Sequence, residues 1–167
     1  LSLGNVYRNI AILLEEGRIQ GGEFGSGIVR YDAVIGSHYH FVCERCGMVS
    51  ADVGDPAQAQ AAVDQVVREI GLPDLVINSA GFSRPGYFIE QELDFLHTMM
   101  DVNYWGTVYI TRAVLPGMMA RHSGHIVNIA SESGFLGLMG YVGYTATKFA
   151  VAGFSDALRA ELKRSGV

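Results

Sequence analysis

The sequence predicts an α/β protein: a parallel sheet with flanking helices over its last two-thirds, preceded by a smaller unit of one helix and a β-hairpin. Three observations carry this. Two short, continuous apolar runs, Leu75-Val76-Ile77 and His125-Ile126-Val127-Asn128-Ile129-Ala130, read as buried strands. Helical stretches stand before, between and after them, and alternation of this kind implies a parallel sheet covered on both faces. Near Met48 to Ala51 the character of the sequence changes abruptly, which divides the chain into residues 1–48 and 49–167.

In chain order, Ser2 can cap a helix running to about Glu16, with Val6, Ile10, Leu13 and Leu14 on one face and Gly17 as its stop. Glu23-Phe24, the turn Gly25-Ser26-Gly27 and Ile28-Val29-Arg30-Tyr31 then read as a β-hairpin. Asp55 caps the next helix, Pro56 takes its first position, and Val63, Val66, Val67 and Ile70 form an apolar stripe before Gly71. Two helical stretches fill about Glu92 to Arg121, and a last helix runs from about Tyr141 to Lys163. There is no internal repeat and no low-complexity linker.

The composition is that of a soluble globular protein: 167 residues, 49% of them hydrophobic, with a formal net charge of -5. The acidic balance argues against nucleic-acid binding by the chain as a whole. No window reaches the roughly 18 uninterrupted apolar residues of a membrane span, and no secretory signal opens the sequence, so the expectation is a cytoplasmic location without a membrane span. The two cysteines share one Cys43-Glu44-Arg45-Cys46 unit, a spacing that suggests metal or redox chemistry before a structural disulfide.

Tyr144-Thr145-Ala146-Thr147-Lys148 puts a phenol and an ammonium at i and i+4, neighbours on one helical face. A tyrosine is a poor acid or base at neutral pH, and a nearby cation stabilises its phenolate and moves it toward the working range. Alone, such a pair is common on exposed helices. The surroundings reverse that weighting: Asn78-Ser79-Ala80-Gly81 ends the first strand, Asp101-Val102-Asn103 lies on the next helical stretch, and Asn128-Ile129-Ala130-Ser131-Glu132-Ser133-Gly134 ends the second strand ahead of Tyr144.

This order and spacing resemble the short-chain dehydrogenase/reductase family over about residues 50–167. The resemblance implies a partial Rossmann-like sheet, NADP(H) or NAD(H) as cofactor, and interconversion of a ketone and a secondary alcohol. It makes Tyr144 the general acid and Lys148 the group that activates it and holds the nicotinamide ribose. Ser131 would hydrogen-bond the substrate oxygen, and Asn103 would hold a water linking Lys148 to solvent. Asn78, Ala80 and Gly81 would line the adenosine side of the cofactor, with Asp52 near the adenine. The plainer readings are a cap for Ser131 and buried amides tying elements together for Asn78 and Asn103.

Phe135, Leu136, Leu138 and Met139 lie between Ser131 and Tyr144, so either a small-molecule apolar ketone or alcohol rests there or these side chains pack a core. The run from Arg112-Ala113-Val114 to Lys148-Phe149-Ala150 is similar to the branch of the family that reduces 3-ketosphinganine, a long-chain lipid ketone, and from that likeness comes a leaning to NADP; a homo-oligomer is also expected.

Ahead of Asp52 the family's strand and Gly-rich phosphate turn are not found; Gly21-Gly22-Glu23-Phe24-Gly25-Ser26-Gly27 sits between hairpin strands. Residues 1–48 instead resemble the ferric-uptake-regulator family. Ser2-Leu3-Gly4-Asn5-Val6-Tyr7-Arg8-Asn9 looks like the start of its DNA-recognition helix, Arg30-Tyr31-Asp32 follows the wing, and His38-Tyr39-His40 and Cys43-Glu44-Arg45-Cys46-Gly47 come at that family's spacing. The resemblance implies a winged-helix fragment, with Asp32, His38 and His40 in a regulatory metal site and Cys43 with Cys46 as half of a structural zinc site. The second cysteine pair is missing from the chain, and DNA is a partner only if this fragment is functional. The expectation is a composite chain, joined near Val49, that binds a dinucleotide weakly or not at all by itself.

Overall fold

The computed structural model describes residues 15–16, 20–23, 29–32, 40–42 and 49–167. The chain divides into two compact units, Leu1–His38 with Val42–Val49, and Tyr39–Phe41 with Ser50–Val167. In the first, β1 (Gln20–Glu23) pairs antiparallel with β2 (Val29–Asp32), Gln20 opposite Asp32 and Glu23 opposite Val29. The expected hairpin is present, its first strand beginning earlier than the sequence suggests. The expected helix from Ser2 lies outside the described residues up to Leu14.

β3 (His40–Val42) and β4 (Val49–Asp52) form a second two-stranded sheet. Helix α1 (Pro56–Ile70) follows, with the bounds its punctuation predicts. Asp55 caps it by accepting the N–H groups of Ala57 and Gln58 at 2.8 and 3.1 Å. These bonds, the Gln58 N–H first, hold the Asp55 carboxyl below its ordinary range. Gly71 ends the helix at a φ of 93°, a conformation that favours glycine. The buried face of α1 differs from the predicted stripe. Ala59, Ala62 and Val63 are buried, whereas Val67 and Ile70 are exposed, because small residues let α1 approach its neighbour closely.

That neighbour is one long helical run. α2 (Leu93–Met100) passes through a π turn (Asp101–Trp105) into α3 (Gly106–Ala120). The two expected stretches are thus joined, with the Gly106 N–H bonded to the Asp101 carbonyl five residues back. Ala59 and Val63 of α1 and Ile110, Val114 and Met118 of α3 form the core, against which Val76 and Ile126 pack. Those last two lie on β5 (Leu75–Asn78) and β6 (His125–Asn128), a parallel pair with Asn78 opposite Asn128. Arg121 ties the end of α3 to the turn before β5, donating to the carbonyls of Leu72 and Pro73 at 3.1 and 2.6 Å.

One expectation is corrected here. The sheet is covered on one face, not both: Leu75, Ile77, Val127 and Ile129 alternate with the core residues and are exposed. A 3₁₀ turn (Glu132–Gly134) leads to α4 (Val142–Leu162), close to the predicted span. No helix among the described residues is long and apolar enough to cross a membrane.

Candidate active site

The site is built at the carboxyl ends of β5 and β6, where open parallel sheets place their ligands. The strand-end asparagines bond each other across the pair: Asn78 Nδ2 donates to Asn128 Oδ1 at 2.8 Å and to Thr111 Oγ1 at 3.1 Å. Asn128 Nδ2 in turn donates to Ser155 Oγ at 2.9 Å. One polar chain thereby joins α3, β5, β6 and α4. Asn78 therefore does the structural work of the plainer reading, and Asn128 is a partner that no local signal in the sequence marks.

Lys148 is buried on α4, and its Nζ donates to the Ile129 carbonyl at 2.9 Å. The same Nζ stands 5.7 Å from the centre of the Tyr144 ring. Burial lowers the Lys148 ammonium below its ordinary value. Ser131 caps the 3₁₀ turn, its Oγ accepting the Ser133 N–H at 3.2 Å, so its capping role is real as well. The turn packs on α4: a Cβ on Gly134 would stand 3.0 Å from the Lys148 carbonyl oxygen. This packing carries Ser131 to the helix that holds Tyr144 and Lys148.

Asn103 sits buried in the π turn with both its amide N–H groups and its amide oxygen hydrogen-bonded. Its Oδ1 accepts the Phe82 N–H at 2.9 Å, and its Nδ2 donates to the Phe82 carbonyl at 2.9 Å and to Thr147 Oγ1 at 3.0 Å. Thr147 Oγ1 donates onward to the Tyr144 carbonyl at 2.8 Å. The Asn103 backbone carbonyl accepts the Thr107 hydroxyl at 3.3 Å. Thr147 is a site residue that the sequence reading missed, although it stands between Tyr144 and Lys148.

Gly81 closes the arrangement, since a Cβ there would stand 3.1 Å from Asn103 Oδ1 and 3.6 Å from Lys148 Nζ. Asp52 lies at the end of β4, its Oδ1 accepting the Gly54 N–H at 2.8 Å. A Cβ on Gly54 would be 3.6 Å from Asp101, so the turn after Asp52 lies against the π turn. Phe135, Leu136, Leu138 and Met139 are exposed, which decides against core packing. Of the expected metal residues, His38, Cys43 and Cys46 lie outside the described residues, and Asp32 and His40 are described only as strand backbone. Among the described residues, no group of three or more His, Cys, Asp or Glu is placed to hold a metal.

The short chain dehydrogenase family model matches residues 39–167. The chain belongs to the short-chain dehydrogenase family. Among its relatives, the 3-dehydrosphinganine reductase of Danio rerio is 41% identical over 116 residues, which are 69% of this chain and 35% of that protein. The chain thus spans about a third of the length of the curated relatives it matches. A short-chain dehydrogenase from Streptomyces avermitilis superposes with a TM-score of 0.67 at 34% identity, over 69% of this chain and 43% of that one. A gluconate 5-dehydrogenase from Burkholderia cenocepacia, solved with NADP and tartrate, gives 0.66 at 34% identity, over 68% of this chain and 45% of that one. Residues 1–70 match the ferric uptake regulator family model, so the two matches overlap over residues 39–70.

The donor set fits the ribose of a nicotinamide cofactor. An ammonium has three N–H donors, and Lys148 uses one on Ile129. Bare backbone at Gly81 leaves room beside the others.

Proposed function

We propose that this chain carries the catalytic segment of a nicotinamide-dependent oxidoreductase interconverting a ketone and a secondary alcohol. The observation that carries the reading is the Lys148 ammonium, fixed by Ile129 and standing 5.7 Å from the Tyr144 ring. When bound, the cofactor supplies the hydride that adds to the carbonyl carbon. Tyr144 gives its phenolic proton to the carbonyl oxygen as negative charge develops there, and Ser131 donates a hydrogen bond to the same oxygen. The positive charge of Lys148 stabilises the phenolate left behind, and its free N–H groups hold the ribose. Asn103 and Thr147 hold the Tyr144 turn against the loop at Phe82.

The substrate we favour is a long-chain lipid ketone and the cofactor NADP. The exposed apolar segment from Phe135 to Met139, between Ser131 and Tyr144, and the 3-dehydrosphinganine reductase relatives support the first, and the similar gluconate 5-dehydrogenase solved with NADP supports the second. The sequence of residues 1–48 carries no strand–Gly-rich turn–helix signature for a pyrophosphate, so the expected dinucleotide binding by this chain is weak, and micromolar affinity would overturn that expectation. At saturating cofactor, Tyr144→Phe should lower ketone reduction by about 10²–10⁴-fold and spare cofactor binding. Unchanged turnover refutes the assignment.

A second reading, a metal-responsive DNA-binding regulator, is favoured by the ferric uptake regulator match over residues 1–70. It requires zinc or another divalent metal at Asp32, His38, His40, Cys43 and Cys46. Metal analysis of the purified chain, with DNA binding measured across a salt series, decides it: retention of neither removes the reading.

A further inference from the structure

Gln91 stands just before α2, outside the set of groups assigned to the reaction. Its Nε2 donates to the carbonyls of Arg84 and Gly86 at 3.3 and 3.2 Å. The Gly86 N–H donates to the Gly140 carbonyl at 2.9 Å. Gly140 has a φ of 80°, which places that carbonyl in a turn that side chains disfavour. The Gln91 amide therefore reaches, through Gly86, from the loop after β5 to the loop before α4. Both loops end in exposed apolar side chains, Tyr87 and Phe88 on one, Leu138 and Met139 on the other.

The first loop is also held at its near end. The Phe82 ring meets Phe95 edge-on at 5.4 Å, and the Arg84 guanidinium lies 3.9 Å over the Phe95 ring. Gln91 is the side chain that holds its far end. The Gln91 Oε1 is buried with no hydrogen-bond partner, so this side chain is placed by its two donor bonds at the cost of an unsatisfied acceptor.

We infer that Gln91 is a positioning residue that locks the two apolar loops into one frame at the mouth of the site and so sets the preference for long apolar ketones. The inference rests on the ketone reading above. Its test uses the full chain and two variants, Gln91→Met, which keeps the size and removes both donors, and Gln91→Glu, which replaces the amide by an acceptor. Amide hydrogen exchange reads the Gly86 N–H, and calorimetric titration with 2-tetradecanone reads the mouth.

In both variants exchange at Gly86 should rise about tenfold and the ketone dissociation constant should rise about tenfold, as expected for the loss of one or two neutral hydrogen bonds. Unchanged exchange at Gly86, with ketone binding intact, overturns the clamp and leaves the ketone reading standing. Faster exchange with unchanged ketone affinity overturns the specificity role. A wild-type chain that binds no 2-tetradecanone, while Gly86 exchange still rises in the variants, refutes the long-chain ketone reading and leaves the clamp in place.

Discussion

Asn103→Leu tests the buried junction on which the site is assembled. Leucine has nearly the shape of asparagine, so the variant opens no large cavity and isolates the polar contribution. Three hydrogen bonds go: two to the Phe82 backbone at 2.9 Å and one to Thr147 Oγ1 at 3.0 Å. At about 1 kcal/mol each, the loss is about 3 kcal/mol. With a urea dependence of roughly 1–3 kcal/mol per molar, the unfolding midpoint should fall by about 1–3 M. Trp105 reports the transition directly, since it lies in the same π turn and stacks on Tyr109 at 5.7 Å. A midpoint within about 0.3 M of the wild type would refute the reasoning.

Asn103→Asp adds a pH test with a definite sign. Burial raises the folded-state value of the introduced carboxyl, so the unfolded chain loses its proton first and stability falls as pH rises above about 4. This variant should be nearest the wild type in acid and weakest at neutral pH.

Two further outcomes follow from single contacts. Burial lowers the Lys148 ammonium, so between that lowered value and the ordinary one the unfolded chain binds more protons and the wild type gains stability as pH rises. Lys148→Met lacks this gain, so the difference in thermal midpoint should move in favour of the wild type from about pH 7 to about pH 10; a flat difference contradicts the burial argument. In Gly106→Ala the new Cβ would stand 2.9 Å from Val53 Cγ2 and 3.2 Å from the Val53 carbonyl oxygen. The crowding outweighs the helix preference of alanine and should cost about 1–2 kcal/mol in chemical denaturation, whereas a stabilised variant would show that the turn at Val53 and α3 yield freely.

The sequence by itself determined what local chemistry decides. Asp55, Pro56 and Gly71 delimit α1 because a cap, a first-turn proline and a positive-φ stop act within a few residues of themselves. The Tyr144 and Lys148 pair was legible for the same reason, being set by the pitch of one helix. Tertiary structure decided the rest. Whether α1 buries Ala59 and Ala62 or Val67 and Ile70 depends on the helix it meets, and Leu75 and Ile77 look like any buried strand until the sheet is found to have one covered face. The bonds from Asn78 to Asn128, Asn103 to Phe82 and Gln91 to Gly86 join groups whose side chains alone do not name a partner. A hydrogen bond needs both ends within about 3 Å, and that closeness is made by packing, not by spacing along the chain.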